Sequence, residues 1–322
     1  MTEPTVTLTR CGDYSRANVA RAIERQFELL GVLEKFVKPG DSVLIKPNLI
    51  APRSHRHATQ TDPVVILETA RLLKDFGAKP FVGDSPAWGS VFGCIKALRL
   101  TKPLRELDVP VRQLNRPKKF QVGEKKSGVN ISTVALDADV IINLPKFKSH
   151  QQLVATFAVK NMFGCVSGKQ KAYWHFAQGK TTEQFCEFLI EIYKFLDPAL
   201  TIIDGVIAMD GPGPIMGRAR PLGWIVGGTD PLACEAICCR LVNIKPEELP
   251  IIKAARQMNF GCSEPDTIKT VGDDFSNRVC MDFKIPKLIP VRFSLLHVLK
   301  SICKQIILLS KSAIKKFAPG RN

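Results

Sequence analysis

Residues 139–150 read Asp-Val-Ile-Ile-Asn-Leu-Pro-Lys-Phe-Lys-Ser-His, and this stretch decides the fold. Positions 140–144 form a near-continuous apolar run, the pattern of a strand covered on both faces. A polar motif follows at once, from Asn143 and Lys146 onward. Parallel sheets hold their ligands at the carboxyl ends of the strands. The stretch therefore predicts an architecture and a site together.

The same pattern recurs on either side. Short β-branched runs at 5–9, 42–45, 80–82, 200–203, 224–226 and 268–271 read as strands. Residues 16–36 read as a helix with Ala20, Ile23, Phe27, Leu30 and Leu33 on one face, and 63–76 and 181–196 as two more. Asp62-Pro63 and Asp230-Pro231 supply a cap and a first-turn proline for helix starts. Strands interleaved with helices imply an α/β fold, a mostly parallel sheet with helices on both faces. Lys46 and Asn48, Asp84, Asn143 and Lys146, Asp204, and Thr229-Asp230 each follow a predicted strand. Residues 101–137 are less regular. Short strands over 111–115, 119–122 and 130–135 predict a small inserted β-rich segment.

Composition supports a folded chain. Of 322 residues, 45% are apolar and 24% charged, which excludes disorder over most of the length. The N-terminus shows no basic segment followed by an apolar run, and no stretch approaches ~18 uninterrupted apolar residues. A cytoplasmic location is the expectation. Ten cysteines include no Cys-x-x-Cys, so they read as small buried hydrophobes.

The chemistry concentrates between residues 143 and 175. Lys146, Lys148, Lys160, Lys169 and Lys171 fall there with His150 and His175, interleaved with Phe147, Phe157, Met162, Phe163 and Trp174. The aromatic residues seek burial, so this is not a plain solvated loop. Buried lysines suit a phosphate or carboxylate, and a lysine among other cations can act as a base. Gly164 allows close backbone approach. Gly164-x-x-x-Gly168-Lys169-Gln170 is one residue short of a phosphate loop and lacks its Ser or Thr, and no Gly-x-Gly-x-x-Gly or Gly-x-Ser-x-Gly is present. Asp204, Asp210, Asp230 and Glu235 form an acidic set that could hold a divalent metal. Asp230 also reads as a helix cap and Asp210-Gly-Pro as a turn. His55 and His57 belong to a basic loop placed over the site.

Lys46-Pro-Asn48, Thr61-Asp-Pro63, Gly83-Asp84-Ser85, Asp139-Val-Ile-Ile-Asn-Leu-Pro-Lys146, Lys148-Ser-His150, Val159-Lys-Asn-Met-Phe-Gly164, Asp204-Gly205, Gly211-Pro-Gly-Pro214 and Thr229-Asp-Pro231 occur in that order. This ordered set resembles the family catalogued as domain of unknown function 362, over about residues 5–262. The Pro-Lys-x-Lys-x-His and Val-Lys-Asn-x-x-Gly blocks are its most specific parts. Members are often described as iron–sulfur proteins, which reflects a ferredoxin-like module fused to some of them. This chain has no Cys-x-x-Cys-x-x-Cys run and no ferredoxin motif after residue 262. Glu235 stands where members often carry Asp. The family has no settled reaction, so the resemblance marks a site rather than a substrate.

The net charge is +16, and it is unevenly placed. Residues 283–322 hold nine basic residues and no acidic one, which sets a basic tail apart from a core domain of residues 1–282. Drawn as a helix, 292–317 place Lys300, Lys304, Lys311 and Lys315 on one stripe opposite a broad apolar face. Such a C-terminal amphipathic helix suits an anionic membrane surface, through residues 288–317, or docking on this domain or another subunit. Nucleic acid fits least, because the stripe lacks interleaved aromatics.

Two functions stay open. One is an enzyme acting on a small anionic substrate. In it Lys146, His150, Lys160, Asp204 and Asp210 do the chemistry, and Lys46, Asn48, Asp84, Asn143, Lys148, Asn161, Gly164, Lys169 and His175 bind. The other is a non-catalytic module that carries a cofactor or iron–sulfur cluster for a redox or metallocluster partner.

Overall fold

The 139–150 stretch becomes two strands rather than one because Pro145 interrupts it. The structure, a computed structural model, describes residues 3–123, 127–167 and 181–290. Lys169, Lys171, Trp174 and His175, and the helix expected over 292–317, lie outside them.

The elements, in chain order, are β1 (Thr5–Arg10), α1 (Arg16–Leu30), β2 (Ser42–Pro47), α2 (Pro63–Asp75), β3 (Lys79–Asp84), α3 (Val91–Ala97), α4 (Thr101–Glu106) and β4 (Val111–Gln113). Then come β5 (Pro117–Val122), β6 (Ser127–Ser132), α5 (Thr133–Leu136), β7 (Val140–Leu144), β8 (Lys146–His150), β9 (Val154–Thr156) and a 3-10 segment, Val159–Cys165. The chain continues with α6 (Thr182–Leu196), β10 (Leu200–Asp210), β11 (Arg218–Gly228), α7 (Pro231–Leu241), α8 (Pro250–Gln257) and β12 (Lys269–Gly272).

One central sheet runs in the order β12-β1-β11-β10-β7-β2-β3-β4, with β8 beside the far half of β10 and β9 beside β8. Every pairing in it is parallel except those of β11 and β9, so the sheet is mostly parallel. Side chains alternate across it. Val43, Ile45, Val82, Ile142 and Ile202 face α1–α4, while Leu44, Phe81, Ile141 and Ile203 face the core under α6–α8. Helices therefore cover both faces. Among the described residues no helix is long and apolar enough to cross a membrane.

Four boundaries differ from the sequence reading. The first helix stops at Leu30, because Gly31 turns left-handed (φ 106°) and its N–H closes on Phe27 O. Residues 111–113 join the central sheet as its edge strand, not the insert. The insert is the antiparallel hairpin β5–β6 alone, and residues 133–136 turn helical. Asp204 lies inside a strand. It pairs with Lys146 of β8, and the chain bulges only after Gly205 before β10 runs on to Asp210.

Candidate functional site

Period-two alternation places Lys146, Lys148 and His150 on one face of β8, and all three are buried. Each lysine meets a different environment. Lys146 Nζ lies 2.7 Å from Asp204 Oδ2 and donates to the Tyr14 hydroxyl at 2.7 Å. That hydroxyl donates to Asp204 Oδ1 at 2.7 Å, closing a triangle. Burial and the charges of Asp204 and Asp62 hold the Tyr14 phenol well above its ordinary pKa, so it stays a donor. Asp204 Oδ2 also accepts the Asp62 backbone N–H at 2.8 Å. The Lys146–Asp204 pair is thus fully satisfied.

A second pair joins the ends of β2 and β3. Lys46 Nζ lies 2.8 Å from Asp84 Oδ1, with both side chains buried. Asp84 accepts the Leu49 and Ser85 amides at 2.9 and 2.7 Å. Gly164 packs against this pair. A Cβ there would stand 2.5 Å from Asp84 Oδ1 and 2.6 Å from Lys46 Nζ.

Asparagines connect the pieces. Asn161 Nδ2 donates to Lys46 O (2.9 Å) and Asn143 Oδ1 (2.8 Å), and its Oδ1 accepts from Asn48 Nδ2 (3.0 Å). Asn143 Nδ2 donates onward to Ala158 O and the Thr201 hydroxyl. Asn48 Oδ1 accepts from Lys148 Nζ, which also donates to Thr59 O at 3.1 Å.

Lys148 and Lys160 differ from the paired lysines. Neither makes an ion pair among the described residues. Burial, then the positive charges of Lys160, Lys146 and Lys46, pull Lys148 down from 10.5 to about 7. Burial pulls Lys160 down to about 8. Lys160 sits in the 3-10 segment, whose entry is held by Glu235. Glu235 Oε1 accepts the Ala158 and Val159 amides at 2.9 and 3.0 Å. Burial raises this carboxyl to about 7, against those amide bonds.

Other expected residues stand apart. Asp210 belongs to the β10–β11 hairpin, where Arg218 and Arg220 approach its carboxylate at 3.3 and 3.0 Å. Asp230 caps α7 through the Leu232 and Ala233 amides, and its other oxygen accepts Cys262 N–H at 2.7 Å. Asp204, Asp210, Asp230 and Glu235 do not converge, and among the described residues no group of three His, Cys, Asp or Glu side chains could hold a metal ion. His150 Nδ1 accepts the Gln152 amide at 3.1 Å, so that nitrogen carries no proton in this bond. His55 and His57 lie exposed on the loop leading to Thr59.

Two contributors were not in the expected set. Tyr14 lies in a loop 190 positions from its partner Asp204, with no spacing to betray it. Asp62 was visible only as a cap, and it does cap α2, accepting Val64 N–H at 2.9 Å. It is also buried beside Asp204 and Lys146. Burial first, then the Asp204 charge, raise it to about 7. A carboxyl raised to near neutrality on the same strand-end network as Lys148 and Lys160 fits acid–base chemistry.

This geometry, a parallel sheet with lysine–asparagine motifs at adjoining strand ends, can be set beside known proteins. A family model described as "Domain of unknown function (DUF362)" matches residues 43–240, and the chain belongs to that family. It is 35% identical over 309 residues to thylakoid-associated protein sll1697 of Synechocystis sp., an alignment covering 93% of each chain. Among solved structures, the lactate racemase apoprotein of Thermoanaerobacterium thermosaccharolyticum aligns at a TM-score of 0.47 with 12% identity. That alignment covers 71% of this chain and 55% of the racemase, and at this level it carries no weight for function.

Proposed function

We propose that the chain binds a small anionic substrate, bearing a carboxylate or phosphate, and performs proton transfer on it. The observation that carries this is the sorting of the lysines. Lys46 and Lys146 hold carboxylates, whereas Lys148 and Lys160 make no ion pair among the described residues. Lys148 is buried and Lys160 half-buried, and such a cation without a counter-charge is expensive unless a ligand supplies one. Lys148 and Lys160 would grip the anion. Asn48, held in place by Asn161, would orient it, with His150 on the same strand face as Lys148. Near pH 7 to 8 the two lysines exchange protons readily, and Asp62, beside the Lys146–Asp204 pair, is raised to the same range.

Calorimetric titration with inorganic phosphate, pyrophosphate, acetate and succinate tests this. At least one should bind, and Lys148→Met or Lys160→Met should weaken it roughly 10- to 100-fold, the worth of one charge-assisted bond. Binding by neither protein nor variant, or equal binding by all three, refutes the proposal.

A second reading concerns location. The relative's description as thylakoid-associated and the unbroken positive charge after Asp282 support attachment to an anionic membrane surface through residues 288–317. Flotation of the full chain with phosphatidylglycerol-containing vesicles, absent with pure phosphatidylcholine, is the expected result.

A further inference from the structure

Seven large hydrophobic side chains stand exposed among the described residues, and five of them fall in two short stretches. Met216 is 71% exposed, Met281 69%, Ile285 44%, Leu288 52% and Ile289 47%. Exposed apolar residues scattered singly need no explanation, but a group of them does.

The two stretches are stitched into one rim. Gly211 N–H donates to Lys284 O at 2.7 Å, and Lys284 N–H donates to Asp210 Oδ2 at 3.3 Å. Gln151 bridges the rest. Its N–H donates to Gly213 O at 3.1 Å, and its O accepts Ile289 N–H at 2.8 Å. Phe283 anchors the later stretch by packing edge-on against Phe147 at 6.1 Å between ring centroids. The exposed side chains therefore belong to a fixed surface of the folded domain.

The charge of this surface is one-sided. Arg218, Lys284 and Lys287 lie on the two stretches, and Arg53 reaches the same loop by donating to Ile215 O at 3.3 Å. Asp210 is taken by two arginines and Asp282 by Arg220. The chain then leaves the rim at residue 290 with seven further basic residues and no acidic one. Cationic charge around an apolar centre fits an anionic lipid surface. It fits a second copy of the chain poorly, because two such rims would repel.

We infer that the rim formed by Met216, Ile285, Leu288 and Ile289 inserts into the interface of an anionic membrane, so that the folded domain itself, and not the basic tail alone, docks there. This rests on the second reading above. It adds an orientation. The rim holds the end of β8 through Ser149 Oγ, which donates to Gly211 O at 2.8 Å, and through Gln151 in the turn that follows. Lys148 precedes Ser149 on β8, about 3 Å along the strand. The anion site then sits just above the lipid headgroups.

The test is flotation of the full chain with phosphatidylcholine vesicles, with and without phosphatidylglycerol. It compares wild type with the fourfold variant Met216→Ser, Ile285→Ser, Leu288→Ser, Ile289→Ser, which keeps every charge. The replaced side chains are exposed, so an unchanged melting temperature is expected and checks the fold. The wild type should float with the anionic vesicles, and the variant should partition roughly tenfold less or weaker still. A variant that floats like wild type overturns the rim and leaves attachment by the tail standing. A wild type that does not float overturns both.

Discussion

Replacing Lys148 with methionine should weaken anion binding and relieve the folded protein of a buried charge. Lys148 falls from 10.5 to about 7 on folding, and only 4% of its surface is exposed. Such a drop disfavours the charged form by about 5 kcal/mol at most, using ~1.4 kcal/mol per unit. Methionine fills the same volume and leaves Thr59 O and Asn48 Oδ1 without their donor, which costs about 1–3 kcal/mol for each acceptor that water does not reach. The two effects largely offset one another at a single pH, so the pH dependence carries the signal. A lysine with a depressed folded pKa burdens the native state fully below about pH 7, and the burden lifts between about pH 7 and pH 10.5 as the native group sheds its proton. Wild type should gain about 2–3 kcal/mol on the methionine variant between about pH 6.5 and about pH 9. Urea unfolding of both proteins at the two pH values measures this, and taking their difference cancels other titrations to first order. A difference that stays flat, or moves in favour of the variant as pH rises, refutes the claim that Lys148 is buried without a counter-charge.

Three further outcomes follow from the same network. Asp62 is raised to about 7, so the stability it lends is present below about pH 4 and lost as pH rises through 7; Asp62→Asn, which keeps the cap, should gain about 2 kcal/mol on wild type between about pH 5 and pH 7, read by the same urea unfolding. Asp204→Asn strands Lys146 and should cost about 3–5 kcal/mol, while the double variant Lys146→Met, Asp204→Leu should recover much of that in thermal melts. Gly164→Ala drives a methyl into Lys46 and Asp84, which are too well held to yield, and should cost about 1–3 kcal/mol together with anion binding measured by calorimetry.

The parallel sheet was legible because its strands are apolar on both faces, and the alternation at 43–45, 81–82 and 141–142 divides cleanly between two cores. The lysine–asparagine set was legible for the same reason. Lys46, Asp84 and Asn143 end short strands or stand next to their last residue, where sequence alone places a ligand. What sequence could not rank was the state of each charge. Lys146 and Lys148 are two residues apart in one motif, yet one meets a carboxylate and the other an amide oxygen, because the parallel register of β10 on β8 sets Asp204 opposite Lys146, and that register has no pattern of its own. Asp210 looked equivalent to Asp204 for want of that register. Its arginine partners, eight and ten positions on, come back to it only through the antiparallel return of β11. The Lys-x-Lys-x-His period was the one signal at hand that could have set Lys146, Lys148 and His150 on a common face.

The paired and unpaired lysines also explain one another. Lys46–Asp84 and Lys146–Asp204 tie β2 to β3 and β8 to β10, and each satisfies its charge within the fold. They add fixed dipoles but no net charge. Lys148 and Lys160 then supply the excess, in a place where Asn143 and Asn161 are tied to each other, to backbone and to Thr201, and Asn48 to Asn161 and Lys148. A rigid, neutral frame around two titrating cations concentrates the field on whatever lies between them, because the frame cannot reorganise to screen it. The same residues would serve poorly if all four lysines were paired, since no field would remain, or if none were, since the strands would not close against such repulsion. On the proposed function, the division of four lysines into two that hold the sheet and two that take up a ligand's charge is what would make this strand end a site.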